Sequence, residues 1–296
     1  MTRPACVVID PAAARHNLAR VRSLAPGARV MAVIKADGYG HGCVRMARAF
    51  ADADAYGVAC MEEALALRVA GFRHPVVLLE GAFAAAELPV VRAHALDIVV
   101  HDAGQVEMLE QAPPGEPVRV WLKIDTGMHR LGFEPGAIAA VSARLRASAA
   151  VRGPLRLMTQ LACAYTPGDP TVVSQIAQFD AAAAGVQAEH SIANSAGVVA
   201  WPGSHRDWVR PGLMLYGVSP VDDRSAAELD LRPVMTLRSA LIAVRRIAAG
   251  EGVGYGLTWR SPGPMPVGIV AMGYGDGYPR HAESGTPALV NGVRVQ

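Results

Sequence analysis

Short apolar runs alternate with alanine-rich amphipathic stretches along the first 220 residues of the chain. The apolar runs predict buried strands and the amphipathic stretches predict helices. The predicted strands are Val30–Ile34, Ala55–Ala59, Pro75–Leu79, Asp97–Val100, Val118–Ile124, Leu155–Leu161, His190–Ala193 and Gly212–Tyr216. The predicted helices include Cys43–Ala51, Met61–Ala70, Ala103–Gln111, Pro135–Ala147 and Thr171–Ala184. This alternation predicts an α/β fold, a (β/α)8 barrel of the TIM type, with a doubly wound open sheet as the alternative.

The pattern changes after Pro220. Val221–Leu231 is polar and acidic, which predicts a linker. Val234–Ile247 and Val267–Met272 predict strands, because glycine turns separate them and no helical period appears. The last apolar segment predicts a β-hairpin with Asn291-Gly292 as its two-residue turn.

These patterns predict two domains. The barrel domain is expected over residues 8–220 and a mostly-β domain over residues 221–296. Residues 1–7 are expected to pair with the second domain. Since the chain stops a few residues into the return strand of the hairpin, we expect the β domain to be incomplete, that is, truncated.

Composition narrows the choice of function. Of the 296 residues, 51% are hydrophobic and 18% are charged, and the net charge is +2 with scattered positive residues. The hydrophobic fraction is sufficient for a large core. The small, scattered positive charge gives no argument for a nucleic-acid or membrane partner. The four cysteines lie far apart and form no metal-binding spacing, and no signal peptide or transmembrane run is evident. We therefore expect a cytoplasmic protein with reduced thiols and no bound metal.

Lysine is almost absent. Lys35 and Lys123 are the two lysines among 28 lysine and arginine residues. A lysine amine can attack a carbonyl and form a Schiff base, whereas a guanidinium cannot. Lys35 also ends the apolar run before the glycine-rich segment 36–42. It is therefore the first candidate for a nucleophile.

In a (β/α)8 barrel the active site lies at the C-terminal ends of the strands. Several polar residues are predicted there: Lys35, Lys123, Asp125, Arg130, Gln160, Asn194 and Ser195. Arg210, Gly212 and Leu213 surround the start of the predicted eighth strand. The backbone near strands seven and eight and the Ser195 hydroxyl suit a phosphate group. A Schiff-base lysine that faces a phosphate site indicates pyridoxal 5'-phosphate (PLP).

The motifs that carry these residues resemble those of alanine racemases. The segments 32–42, 122–132, 192–196, 208–217, 253–256 and 273–280 match in order over nearly the whole chain. The resemblance implies a PLP-binding barrel with a C-terminal β domain, assembled head to tail as a homodimer. It also implies that the chain is an isomerase that interconverts L-alanine and D-alanine, for peptidoglycan or for alanine catabolism.

The resemblance implies two catalytic bases. Lys35 would hold PLP as a Schiff base and act as the base on the D-alanine side. Tyr255, reaching in from the partner subunit, would act on the L-alanine side. Racemisation needs bases on opposite faces, because one removes the α-proton and the other returns it.

The resemblance also implies binding roles. Arg210 would donate to the pyridine nitrogen, and Arg130 would hold the phenolic oxygen and help to position the substrate carboxylate. Lys123 would orient Arg130, with Asp125 in support, and Tyr274 and Arg280 would line the substrate entrance. The implied cofactor-binding residues are Lys35, Tyr39, Gln160, Asn194, Ser195, Arg210, Gly212, Leu213 and Tyr216.

One strand departs from the family pattern. Gln160-Leu161 stands where the family usually has His-Phe, and Tyr165 stands where it has an acid. Gln160 can hydrogen-bond Arg210 but offers no aromatic face. Two alternatives therefore remain at this point, a catalytically impaired PLP-binding homologue and a racemase of a larger amino acid.

Overall fold

The computed structural model describes residues 3–295, which form two compact units. The larger unit spans Asp10–Val234. The smaller unit combines strand β1 (Cys6–Ile9) with the chain from Met235 onward. Residues 1, 2 and 296, which belong to the predicted segments 1–7 and 221–296, lie outside the described residues.

A closed barrel of eight parallel strands forms the larger unit and confirms the predicted fold class. In chain order the strands are β2 (Arg29–Val33), β3 (Ala55–Val58), β4 (Val76–Leu78), β5 (Asp97–Val100), β6 (Val120–Lys123), β7 (Arg156–Met158), β8 (Glu189–Asn194) and β9 (Trp208–Arg210). Each strand pairs with the next, and β9 closes the ring against β2, where Val30 lies opposite Val209.

One helix precedes the first barrel strand, and the others lie between or after the barrel strands along the chain. The helices are α1 (Pro11–Leu24), α2 (Lys35–Tyr39), α3 (Cys43–Ala49), α4 (Met61–Val69), α5 (Leu88–Ala93), α6 (Ala103–Glu110), α7 (Ile138–Ala147), α8 (Pro170–Ala183) and α9 (Ser195–Ala200). Helix α1 is absent from the sequence-based prediction, although its start carries a clear signal. Asp10 accepts the N–H groups of Ala12 (2.8 Å) and Ala13 (3.1 Å), and Pro11 occupies the first turn.

Large apolar side chains fill the inside of the barrel. The buried cluster comprises Met31, Ala55, Val77, Val99, Trp121, Met158 and Trp208, with Leu79 packed against it. Because these residues come from seven different strands, their packing fixes the relative positions of the strand ends.

Charged side chains close the barrel at the N-terminal ends of its strands. This N-terminal mouth network consists of Arg29, Asp97, Trp121, Arg156, Glu189 and Trp208. Arg156 donates to Asp97 at 3.1 Å and to Glu189 at 2.7 Å. Burial alone would raise the pKa of the Glu189 carboxyl, but hydrogen bonds from Arg29, Trp208 and Arg156 lower it to about 2. The network therefore buries charges in mutually compensating pairs.

The eighth strand of the barrel is Trp208–Arg210, so the prediction of a strand at Gly212–Tyr216 is wrong. Leu213–Tyr216 forms a 3-10 turn instead. Pro211 has no N–H group for a strand ladder, and the Ser195 hydroxyl accepts the N–H groups of Gly212 and Met214. Arg210 is consequently the last residue of a strand and not a residue before one.

Residues 221–234, most of which the sequence assigned to a linker, lie within the barrel unit. Val221, Leu229, Leu231 and Val234 are buried. The buried Asn17 amide donates to the Arg232 carbonyl at 2.8 Å and accepts the Arg232 N–H at 2.8 Å. The structural division therefore falls after Val234, whereas the sequence placed it after residue 220.

The smaller unit is built from paired antiparallel strands, as the mostly-β prediction expects. Strand β1 pairs with β10 (Met235–Arg238), β11 (Leu241–Ile247) with β14 (Met265–Val270), β12 (Gly252–Val253) with β13 (Trp259–Arg260), and β15 (Ala288–Val290) with β16 (Val293–Val295). Asn291 and Gly292 have φ angles of 50° and 81°, as the two-residue hairpin turn requires. Over residues 3–295, no helix combines the length and apolar character needed to cross a bilayer.

Candidate active site

A cavity of about 410 Å³ opens at the C-terminal ends of the barrel strands. Ten of the sequence-predicted site residues line it: Lys35, Tyr39, Lys123, Arg130, Gln160, Asn194, Ser195, Arg210, Gly212 and Leu213. Glu80, after β4, is the single carboxylate among the described lining residues. Because four cations share the cavity with one acid, it favours an anionic occupant.

The backbone shortly after β2 adopts a left-handed conformation. Residues 36–40 all have positive φ, and Ala36, Asp37 and Gly38 have ψ of 53°, 48° and 43°. Each non-glycine residue in a left-handed helical turn costs about 1–2 kcal/mol. We call residues 36–40 the left-handed turn. Strain of this size beside Lys35 implies that surrounding contacts hold the turn in place.

Tyr39 belongs to the left-handed turn and lines the cavity. Its ring stacks on Tyr216 with centroids 4.6 Å apart, and the Tyr216 hydroxyl donates to the Val33 carbonyl at 3.2 Å. Burial raises the pKa of the Tyr39 phenol, so this hydroxyl is a neutral donor near neutral pH. Tyr216 is itself buried outside the cavity lining and supports Tyr39. A Cβ added at Gly212 would lie 2.5 Å from the Tyr39 hydroxyl, so a larger residue there would displace the Tyr39 ring.

Ser195 holds the loop after β9. Its hydroxyl oxygen accepts the N–H groups of Gly212 (2.9 Å) and Met214 (3.3 Å). The hydroxyl hydrogen thus remains free to be donated into the cavity, as an anionic ligand requires. Asn194, by contrast, caps α9 by accepting the Gly197 N–H at 3.0 Å. In this structure Asn194 fixes the start of α9, and its expected contact with a cofactor stays a prediction.

Arg210 is buried at the base of the cavity. It donates to the Ser191 carbonyl (2.9 Å), to the Ser191 hydroxyl (2.6 Å), to Gln160 Oε1 (3.2 Å) and to the Thr159 carbonyl. Burial lowers the pKa of the guanidinium to about 10, so Arg210 stays charged near neutral pH. The partners that the structure gives it are neutral oxygens, which leave its positive charge uncompensated.

The segment after β7 that contains Gln160 is held by the side chain of a residue that the sequence analysis did not single out. Gln175, on α8 and 1% exposed, donates to the Gln160 carbonyl at 3.1 Å and accepts the Ala162 N–H at 2.9 Å. Ser191 was missed in the same way. A polar residue inside a buried strand was the available signal for Ser191, whereas Gln175 looks like any helical position.

Lys123 and Arg130 approach the cavity from β6 and the loop after it. Burial, and after it the positive charges of Arg210, Arg130 and Lys35, together lower the pKa of the Lys123 amine to about 8. Asp125 lies outside the lining, where one carboxylate oxygen accepts the N–H groups of residues 127, 128 and 129 at 3.0–3.1 Å. Asp125 therefore shapes the loop that presents Arg130.

Three predicted site residues belong to the smaller unit. Tyr255 is 90% exposed and Tyr274 is 65% exposed. The Arg280 guanidinium carbon lies 5.9 Å from the centroid of the Tyr274 ring. The cavity is lined by barrel residues alone, so the roles expected for these three residues stay predictions.

Comparison with known proteins matches both units. The family described as "Alanine racemase, N-terminal domain" matches residues 9–220, and "Alanine racemase, C-terminal domain" matches residues 234–296. The alanine racemase of Pectobacterium atrosepticum is 51% identical over 293 residues, which cover 99% of this chain and 81% of the relative. The biosynthetic alanine racemase of Escherichia coli K12 is 51% identical over 292 residues, which cover 98% and 81%.

Solved structures agree with the sequence matches. The biosynthetic alanine racemase from Pseudomonas aeruginosa superposes with a TM-score of 0.95 at 44% identity, covering 99% of this chain and 82% of that one. The alanine racemase from Acinetobacter baumannii gives a TM-score of 0.92 at 38% identity, with coverage of 99% and 82%.

Proposed function

The chain belongs to the alanine racemase family, and we propose that it interconverts L-alanine and D-alanine with PLP held at Lys35. The observation that carries this proposal is the cavity itself. The cavity lies at the C-terminal ends of the barrel strands, where active sites of this fold are found. It contains a lysine amine, a serine hydroxyl that can still donate its hydrogen, and an excess of positive charge.

The residues present fit PLP. The free hydrogen of the Ser195 hydroxyl, the Tyr39 hydroxyl and the backbone beside Gly212 and Leu213 would hold the phosphate. Lys35 would take the aldehyde carbon as a Schiff base, and Arg210 would lie against the ring nitrogen. Bound PLP supplies an electron sink that lowers the barrier to loss of the substrate α-proton.

Arg210 would keep the ring nitrogen from being protonated. The guanidinium is held by carbonyl and hydroxyl oxygens and keeps its own proton near neutral pH. A fixed cation at this place opposes a second positive charge on the neighbouring nitrogen. Gln160 would set the angle of Arg210 by accepting one of its N–H groups.

Two bases would carry the α-proton. Lys35 would remove it from or return it to the D face, and the Tyr255 phenol of a second copy would act on the L face. Arg130 would hold the substrate carboxylate, with Lys123 setting its position. Tyr274 and Arg280 would line the entrance. This part of the proposal rests on the matching motifs and includes a head-to-tail homodimer.

The named relatives do not favour an impaired homologue or a racemase of a larger amino acid. We further propose a biosynthetic role, the supply of D-alanine for peptidoglycan, because the E. coli and P. aeruginosa relatives are named biosynthetic. The cytoplasmic location expected from the sequence stays a prediction.

The test is to load the protein with PLP, supply L-alanine and measure D-alanine with a coupled D-amino-acid oxidase. We expect D-alanine to form with the wild-type protein and none with Lys35→Ala. Cofactor binding without conversion would contradict the racemase assignment. Faster conversion of serine, lysine or arginine would contradict the assignment of alanine as substrate.

A further inference from the structure

A carboxylate outside the cavity holds the left-handed turn. Glu63, in the first turn of α4, is absent from the cavity lining. Its Oε1 accepts the Asp37 N–H at 3.0 Å, and its Oε2 accepts the Ala59 N–H at 2.9 Å. Ala59 directly follows β3. One side chain thus connects the left-handed turn to the residue that follows a barrel strand, through two charge-assisted hydrogen bonds.

The other hydrogen bonds of the left-handed turn are local. Gly38 N–H donates to the Ile34 carbonyl (2.9 Å), and Asp37 Oδ1 accepts the Cys43 N–H (2.7 Å). These and the other hydrogen bonds that the structure gives residues 36–42 stay within residues 34–46. They shape the turn locally and do not fix it to the next strand.

Both ends of the left-handed turn reach the cavity. Lys35 precedes it and Tyr39 belongs to it, and both side chains line the cavity. Since the strained backbone tends to relax when released, freeing Asp37 would spread the positions of the Lys35 amine and the Tyr39 hydroxyl. Small displacements of reacting groups are costly in catalysis.

We propose that Glu63 is a positioning residue, which fixes the left-handed turn and thereby places Lys35 and Tyr39 for the cofactor. The part that concerns the cofactor rests on the proposed function. The part that concerns the turn does not.

The test compares Glu63→Gln with Glu62→Gln. The glutamine at 63 keeps its size and one acceptor oxygen but turns an NH2 group toward one of the two backbone N–H groups. Glu62 lies in the same helical turn and is exposed, so Glu62→Gln removes the same charge from α4 without touching the left-handed turn.

Hydrogen exchange of the cofactor-free proteins is measured first. We expect the amides of residues 36–40 to exchange about 10- to 100-fold faster in Glu63→Gln than in Glu62→Gln, because a hydrogen bond to a charged group is lost. We expect the strand amides of β3 and β6 to be unchanged. The dissociation constant for PLP is measured next, by the absorbance of the Lys35 adduct. It should rise about tenfold or more in Glu63→Gln alone.

Equal exchange at residues 36–40 in the two variants would overturn the proposal. So would faster exchange throughout the barrel, because that pattern reports general destabilisation. Faster exchange confined to the turn with unchanged PLP binding would overturn the positioning of Lys35. If the wild-type protein forms no adduct at Lys35, the proposed function fails, and the exchange comparison still decides whether Glu63 holds the turn.

Discussion

Both ends of the barrel contain buried or half-buried cations, but they pair them differently. In the N-terminal mouth network, Arg156 lies between the carboxylates of Asp97 and Glu189. In the cavity at the other end, Arg210 donates to neutral oxygens, and the pKa of Lys123 is lowered to about 8. Charge is compensated at the first end and left in excess at the second.

The difference separates stability from function within one fold. Removing an ion from water costs several kcal/mol unless a partner offsets it. The N-terminal mouth network supplies that partner within the chain. The cavity does not, and its unfavourable electrostatics are relieved when an anion binds. A site that binds an anion gains affinity from charges that the folded chain leaves unpaired.

The largest expected effect concerns the two lysines of the cavity. Lys35→Arg keeps the charge but loses the amine, so we expect no PLP adduct and turnover lowered by more than about 10³-fold. Lys123→Arg should bind PLP and show only reduced turnover. Absorbance and D-alanine formation measure the two effects. A PLP adduct in Lys35→Arg would show that the excess charge, and not the amine, defines this end.

The next effect tests the compensated end. Arg156→Met leaves Asp97 and Glu189 without their shared partner, and we expect a loss of about 3 kcal/mol in the free energy of unfolding. Urea unfolding of the cofactor-free protein measures it. Arg206→Met is the matched control, because its pair with Asp180 lies at the surface and is worth about 1 kcal/mol or less. Equal losses in the two variants would contradict the contrast between buried and surface pairs.

The smallest effect tests the uncompensated end. The Lys123 amine has a pKa of about 8 in the folded protein against 10.5 when unperturbed, so below pH 8 its charge destabilises the folded state. Lys123→Met should therefore stabilise the cofactor-free protein by about 1 kcal/mol at pH 7, after discounting for solvent screening. Between pH 8 and 10.5 the unfolded chain binds more protons at Lys123 than the folded protein does. The wild type therefore becomes more stable as the pH rises, and the difference in stability between the wild type and Lys123→Met disappears. Urea unfolding at pH 7 and 10.5 measures this, and a pH-independent difference would contradict it.

The sequence located much of this arrangement. Strand positions follow from local apolar runs, and Lys35 was placed at a strand end by the run before it. The eighth strand was misplaced because Leu213–Tyr216 is as apolar as a strand, while Pro211 and the Ser195 hydroxyl exclude a ladder there. The hairpin turn at Asn291-Gly292 was predicted correctly because these two residues by themselves specify the turn type.

Residues that act through distant partners were not foreseen. Glu63 and Gln175 occupy ordinary helical positions, and their roles depend on backbone groups from other elements. No local pattern encodes such contacts. The N-terminal mouth network was missed for the same reason, since its members are separated by tens of residues and meet only when the ring closes.

The left-handed turn has a consequence for the order of folding events. A chain of L-residues avoids this conformation in the unfolded ensemble, so the segment after Lys35 does not form early as a local nucleus. We expect it to acquire its shape once β3 and α4 are in place, because the Glu63 carboxylate that accepts the Asp37 N–H lies on α4. We therefore expect the Lys35 amine to be among the last groups to reach its final position, so that attachment of the proposed cofactor during refolding would follow completion of the barrel.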